Sequence, residues 1–256
     1  MLLFTALACA PKGEPSPPTF DEMNIGAMVE FHEDGGEENV RLLREWLVAH
    51  ASDWAATDWP GGYTLGVVGD GELGSIAHSD GTIWQEVLGA GVPLVVRGAV
   101  DGFAEAAVEP DQTFADASTY IRWDRTITEG TADGFLDGED IATDNVIEKS
   151  GPFGIVIPYE AKKDFRWFGD TLGALTWVPE EGWAEDDKNG IICGFTIELW
   201  FEEDGNTFFY NGSWTQIATV IGDEFPENVL VDEFIKGTID YMEGIDAFVM
   251  GEYVPE

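Results

Sequence analysis

Apolar and polar residues alternate most cleanly in GFTIELWFEEDGNTFFYNGSW, which begins at Gly194. Asp204-Gly205 in its middle signals a two-residue hairpin loop, because a type I′ turn needs positive φ at both central residues. Placing these two at the turn sets Glu203 opposite Asn206 and fixes the pairs beyond it. Phe201 then faces Phe208, Leu199 faces Tyr210, Ile197 faces Gly212 and Phe195 faces Trp214. Opposed residues share a face, so these form one side that is apolar except for a gap at Gly212. The other side carries Thr196, Glu198, Glu202, Thr207, Asn211 and Ser213, with Trp200 and Phe209 as exceptions. A one-residue slip would bury Glu198 and Glu202, so the register is well determined.

The period then changes. In PENVLVDEFIKGTIDYMEGIDAFV, Val231, Phe234, Ile235, Thr238, Met242, Ile245 and Val249 recur at three- and four-residue steps, with acidic residues and Lys236 opposite. This predicts an amphipathic helix of about 20 residues. Pro226 suits its start, Asp232 and Glu233 suit the positive end of its dipole, and Gly251 and Pro255 suit its close. An apolar sheet face followed by a one-faced helix predicts that the helix lies on that face.

Upstream, Phe20 to His32 and Glu37 to Ala51 read as two helices split by Gly35-Gly36, the first opened by a Thr19/Glu22 capping box. Trp59 to Ser79 reads as strands and tight turns, and Gly81 to Gly89 as a short helix. Val92 to Val100 is a strand. Phe103 to Val108 and Gln112 to Tyr120 are two short helices broken at Pro110. Strands follow at Arg122 to Thr128, Asp140 to Glu148, Phe153 to Phe168, Thr171 to Val178, Ile192 to Phe201 and Thr207 to Ile221, with an acidic loop over Glu180 to Gly190. The expected organisation is 1–19 as signal and tether, 20–90 as an N-terminal helical extension, and 91–256 as the main domain.

Composition narrows the function. The 256 residues are 44% hydrophobic and 12% aromatic, enough for a real core. Fifty acidic against 12 basic residues give a net charge of -38. That excludes nucleic acid and anionic headgroups as direct partners, since phosphate binding needs clustered Lys and Arg. It suits a solvated surface in salty surroundings. No apolar run reaches the roughly 18 residues needed to span a bilayer.

MLLFTALACAPK is an apolar segment, then small residues, then Cys9. Ala6-Leu7-Ala8-Cys9 resembles the lipobox of bacterial lipoproteins, which implies cleavage before Cys9 and its lipidation. Lys12 to Thr19 then reads as a Pro-rich tether. A soluble chain with an apolar start is the other reading. With Cys9 lipidated, Cys193 has no disulfide partner, and in IICGF it reads as a buried core thiol.

Candidate chemistry is sparse. Asp133, Asp137, Gly138 and Asp144 partly match a calcium loop, but Phe135 replaces an oxygen ligand and Asp144 the usual bidentate Glu; a solvated acidic loop is the better reading. His32, His50 and His78 form no metal motif, no Ser sits in a nucleophile elbow, and no cofactor motif is present. The Gly-rich stretch lacks dinucleotide-loop spacing. Lys162, Lys163 and Arg166 make the basic cluster of the chain. The remaining candidate is apolar: Phe195, Leu199, Tyr210 and Trp214 with Phe234, Thr238 and Met242, expected to share the helix-facing space. If buried, Tyr210 and Trp214 each need a polar partner. A fully packed core is the alternative, and a ligand pocket above about 300 Å³ separates the two.

The order of one strand, two helices, six strands and a long helix resembles the helix-grip fold of START-like and related lipid-binding proteins. The resemblance covers Gly91 to Val249 and includes Tyr120-Ile121-Arg122-Trp123-Asp124. The whole chain also resembles acidic bacterial lipoproteins ending in a similar helix and DAFV. The resemblance implies an α+β fold, a curved antiparallel sheet gripping the last helix around a cavity for apolar small molecules. The expectation is a lipid-anchored envelope protein, held to the membrane through Cys9, that binds a hydrophobic small molecule or lipid non-covalently. The alternatives are an interaction or scaffold lipoprotein with a filled core and, third, an enzyme, which would need a pocket carboxylate pair or a perturbed group.

Overall fold

A computed structural model describes residues 18–32, 37–54, 61–68, 87–150, 155–218 and 227–253. The chain folds as helices α1 (Phe20–His32) and α2 (Glu38–Trp54), strands β1 (Tyr63–Val68) and β2 (Val87–Val96), and helix α3 (Val100–Ala107). Strand β3 (Tyr120–Glu129), helix α4 (Ala132–Leu136), and strands β4 (Ile141–Ser150), β5 (Val156–Phe168), β6 (Thr171–Trp177), β7 (Gly182–Trp183), β8 (Gly190–Glu203) and β9 (Asn206–Ala218) follow. Helix α5 (Glu227–Val249) comes last. Among the described residues the strands make one curved, unclosed antiparallel sheet in the order β1-β2-β9-β8-β6-β5-β4-β3, with β7 on β8. The class is α+β, and the sheet grips α5.

The β8–β9 hairpin has the expected register. Glu203 pairs with Asn206, Leu199 with Tyr210 and Phe195 with Trp214. Asp204 and Gly205 hold φ of 51° and 78°, the pair of positive values that a type I′ turn requires. At α1, the Thr19 N–H donates to Glu22 Oε2 at 2.7 Å and the Glu22 N–H to Thr19 Oγ1 at 3.3 Å, the two halves of a capping box. Helix α5 ends before Gly251, whose φ of 69° turns the chain so that the Glu252 N–H donates back to the Ala247 carbonyl, while the Gly251 N–H donates to that of Phe248.

Four local expectations are corrected. The acidic loop over Glu180 to Gly190 is interrupted by β7, which pairs with β8. Gln112 to Tyr120 forms a single 3-10 turn over Thr113–Ala115. Asp111 Oδ1 accepts from the Thr113 N–H, and Asp116 Oδ1 from the Ser118 N–H, and such local bonds compete with helix. The helix over Gly81 to Gly89 is overturned from Val87 onward, where the backbone is already in β2; Gly81 to Glu86 lie outside the described residues. The solvated acidic loop read over Asp133 to Asp144 is instead structured: Asp133 lies in the helix α4, Asp137 is its C-cap and Asp144 lies in β4.

The larger correction concerns which helix covers which face. The apolar side of the hairpin, Phe195, Ile197, Leu199, Phe201, Phe208, Tyr210 and Trp214, packs against Met23, Met28 and Phe31 of α1 and Leu43 and Leu47 of α2. Helix α5 lies on the opposite side, where Met242 and Ile245 join Trp200, Phe209, Phe165, Trp123 and α3. The sheet is therefore covered on both faces. Residues 20–90 are not a purely helical extension: α1 and α2 close the outer core, and β1 and the first part of β2 belong to the sheet.

Candidate functional site

The residues singled out from the sequence do not meet. Phe195, Leu199, Tyr210 and Trp214 belong to the outer core, Met242 to the inner one, and Phe234 and Thr238 are half-buried on α5. The polar handles of the outer wall are satisfied from within the chain. Tyr210 donates to Asn24 Oδ1 at 2.6 Å, and Trp214 Nε1 donates to the Gly66 carbonyl at 2.9 Å. The gap at Gly212 is filled by the same Asn24, whose Oδ1 would lie 2.7 Å from a Cβ added there. This wall is a packed core. Cys193 is buried within it. His50 stacks on Trp46 and His32 meets Trp177 edge-on; His78 and Cys9 lie outside the described residues.

The inner face holds the unusual chemistry. Strand alternation sends Lys163 of β5, Glu198 of β8 and Asn211 of β9 inward together with Trp200, while Lys162 and Arg166 point the other way. Lys163 Nζ and the Glu198 carboxylate form an ion pair with both side chains about 5% exposed or less. Nζ also lies 5.2 Å from the Phe165 ring centre, 5.9 Å from Trp200 and 6.0 Å from Tyr241. Glu198, expected on a solvated side, is buried because α5 covers that side.

Arg125 of β3 is the second buried cation. Its Nε donates to Asn145 Oδ1 at 2.9 Å and its Nη1 to the Ala107 carbonyl at 2.7 Å. Asn145 Oδ1 also accepts from Trp123 Nε1 at 3.0 Å. Both acceptors of Arg125 are neutral, and among the described residues no carboxylate lies within ion-pairing distance of it. Burial pushes the Arg125 guanidinium down to about 10. Burial likewise lowers Lys163, against the attraction of Glu198 and with the charge of Arg125 adding to the fall. Tyr241, across from them on α5, is raised well above the ordinary tyrosine value by burial and then by the Glu198 charge. Desolvation opposes the charged form in each case.

These groups surround a cavity of about 20 Å³ lined by Phe103, Gln112, Arg125, Lys163, Trp200 and Tyr241, among others. That is room for about one water molecule, far below the size expected of a ready-made ligand pocket. Among the described residues, two buried polar atoms on this face lack a hydrogen-bond partner: Trp200 Nε1 and Asn211 Oδ1. Unpartnered buried polar atoms cost about 1–3 kcal/mol each. The pattern gave one sign of this site. Trp200 and Phe209 broke the polar side of the hairpin, and an aromatic pair there marks a second covered face.

Neither a family model nor a curated protein matches the chain. Solved structures similar to it include a protein of Thermus thermophilus, at 9% identity and a TM-score of 0.48, covering 65% of this chain and 99% of that one. The STAR-related lipid transfer protein of Xanthomonas axonopodis aligns at 8% identity and a TM-score of 0.45, covering 64% of this chain and 86% of the other. The Zhui aromatase/cyclase of Streptomyces aligns at 9% identity and a TM-score of 0.39, covering 63% and 93%.

Proposed function

We propose that this protein binds a hydrophobic small molecule non-covalently between the inner sheet face and α5, and that it does so anchored to the bacterial cell envelope through a lipidated Cys9. The observation that carries the binding reading is the incompletely partnered polar layer under α5. A core built only for stability gains nothing from two buried cations, a buried carboxylate and an orphaned indole N–H, because apolar residues of similar volume do as well or better. The cavity is closed to about one water in this structure, so binding requires α5 or α3 to shift outward. The envelope placement rests on the Ala6-Leu7-Ala8-Cys9 pattern and the Pro-rich segment after it. Native mass spectrometry of the protein purified from its host tests the reading. An excess mass that solvent extraction removes supports it. A bare mass, with no uptake from a lipid mixture, overturns it. The small cavity favours a second reading, an interaction lipoprotein with a filled interior, and the bare-mass outcome would put that reading first.

A further inference from the structure

The charges under α5 do not cancel. Lys163 and Glu198 neutralise each other wherever their shared proton sits. Arg125 remains, lining the same cavity, with neutral acceptors only. The Glu198 charge attracts Arg125 through space but is already paired with Lys163, so the cluster keeps one excess positive charge, and a buried excess charge is costly enough to call for a counter-charge. Trp200 adds a buried N–H with no acceptor and lines the same cavity. The two deficits are of one kind: a missing negative charge and a missing hydrogen-bond acceptor. Phe103, Phe165 and Ile245 supply an apolar stretch of the same lining, beside Gln112, Lys163 and Tyr241.

We propose that the Arg125–Trp200 corner is an anion seat for the head of a monocarboxylate amphiphile, whose hydrocarbon lies along Phe103, Phe165 and Ile245. One carboxylate supplies the single missing charge and, through its two oxygens, acceptors for both the guanidinium and the indole. A phosphate monoester carries nearly two charges, one more than the single excess positive charge of the site can balance. The inference rests on the binding reading above and names the chemistry of its ligand.

The test is calorimetric titration of the full chain with decanoate, decanol and decylamine, repeated with Arg125→Gln and Trp200→Phe. Decanoate is expected to bind at least about tenfold more tightly than decanol, since a hydrogen bond to a charged group is worth that much or more. Trp200→Phe is expected to weaken decanoate roughly tenfold and decanol by less, since a hydrogen bond to a neutral hydroxyl is worth less than one to a carboxylate, and Arg125→Gln to erase the preference. Circular dichroism and a melting curve establish whether each variant folds; if Arg125→Gln does not, Trp200→Phe decides. Equal binding of acid and alcohol, or tightest binding of the amine, overturns the anion seat and leaves the apolar-ligand reading standing. An acid preference that survives in every folded variant overturns its placement. No uptake of any of the three overturns both readings.

Discussion

Glu198 and Leu199 are neighbours in sequence and lie in different cores. Leu199 points into a wall between β8, β9, α1 and α2 where apolar side chains fill the space and Tyr210 and Trp214 have neutral partners within the chain. Glu198 points under α5 into a layer of charge, where Trp200 Nε1 and Asn211 Oδ1 have no partner. The polar handles of the outer face are partnered within the chain, whereas two buried polar atoms of the inner face have no partner among the described residues. A sheet covered on both sides can be packed differently on each, and the hairpin's alternation sends successive side chains to the two environments.

The sharpest way to break this comparison is Glu198→Leu. It leaves Lys163 buried without its counter-charge and is expected to cost about 3–5 kcal/mol in urea denaturation. Adding Lys163→Met should restore stability to within about 1 kcal/mol of the parent or above it, because a buried pair can be replaced by apolar residues at little loss. A double variant as unstable as the single one would mean that the pair is structural, and the contrast between the faces would fail.

Leu199→Ala should cost about 2–5 kcal/mol through the cavity it leaves. Its cost should be unchanged in the Lys163→Met, Glu198→Leu background, since the two sites occupy separate cores. Strong coupling between them would show one core where two are described. On the same outer wall, Tyr210→Phe leaves Asn24 Oδ1 without its donor and should lower stability by about 1–3 kcal/mol.

Alkaline titration reads both faces in one spectrum. Burial raises Tyr210 on the outer side and Tyr241 on the inner side well above the ordinary value of 10.0. In the unfolded chain both ionise near 10.0, while in the folded chain they stay protonated. Above that pH the unfolded state therefore binds fewer protons than the folded one, so these groups' contribution to stability falls as pH rises. Tyrosinate absorbance of the native protein should lag behind that of the denatured chain, and Tyr210→Phe should remove one late-titrating group. Early titration of Tyr241 alone would show the inner side open to solvent.

The smallest effect concerns neither face. With a net charge of -38, self-repulsion acts on the whole surface. Raising salt from about 0.1 M to 1 M shortens the screening length from about 10 to 3 Å and should raise the melting temperature by a few degrees. An unchanged melting temperature would remove self-repulsion from the account.

What the sequence determined by itself was local and periodic. It specified the hairpin register down to the type I′ turn at Asp204-Gly205, the Thr19/Glu22 capping box, the long last helix and the order of the strands from β2 onward except the two-residue β7. Each follows from contacts between residues close in the chain or from one repeating pattern. It also carried the α+β class, because that element order admits few arrangements.

The tertiary structure alone decided which helix lies on which face. Periodicity shows that a face is buried and does not show by what, so Phe195, Leu199, Tyr210 and Trp214 were matched to α5 although Asn24 and its neighbours on α1 fill that space. Only tertiary pairing brought Arg125, Lys163 and Glu198 together, from strands separated by dozens of residues and from a composition so acidic that no single carboxylate stands out. Burial gave those three their character: the same side chains on a solvated strand are ordinary surface charges, and enclosed under a helix they form a desolvated polar layer beside two unpartnered atoms, Trp200 Nε1 and Asn211 Oδ1.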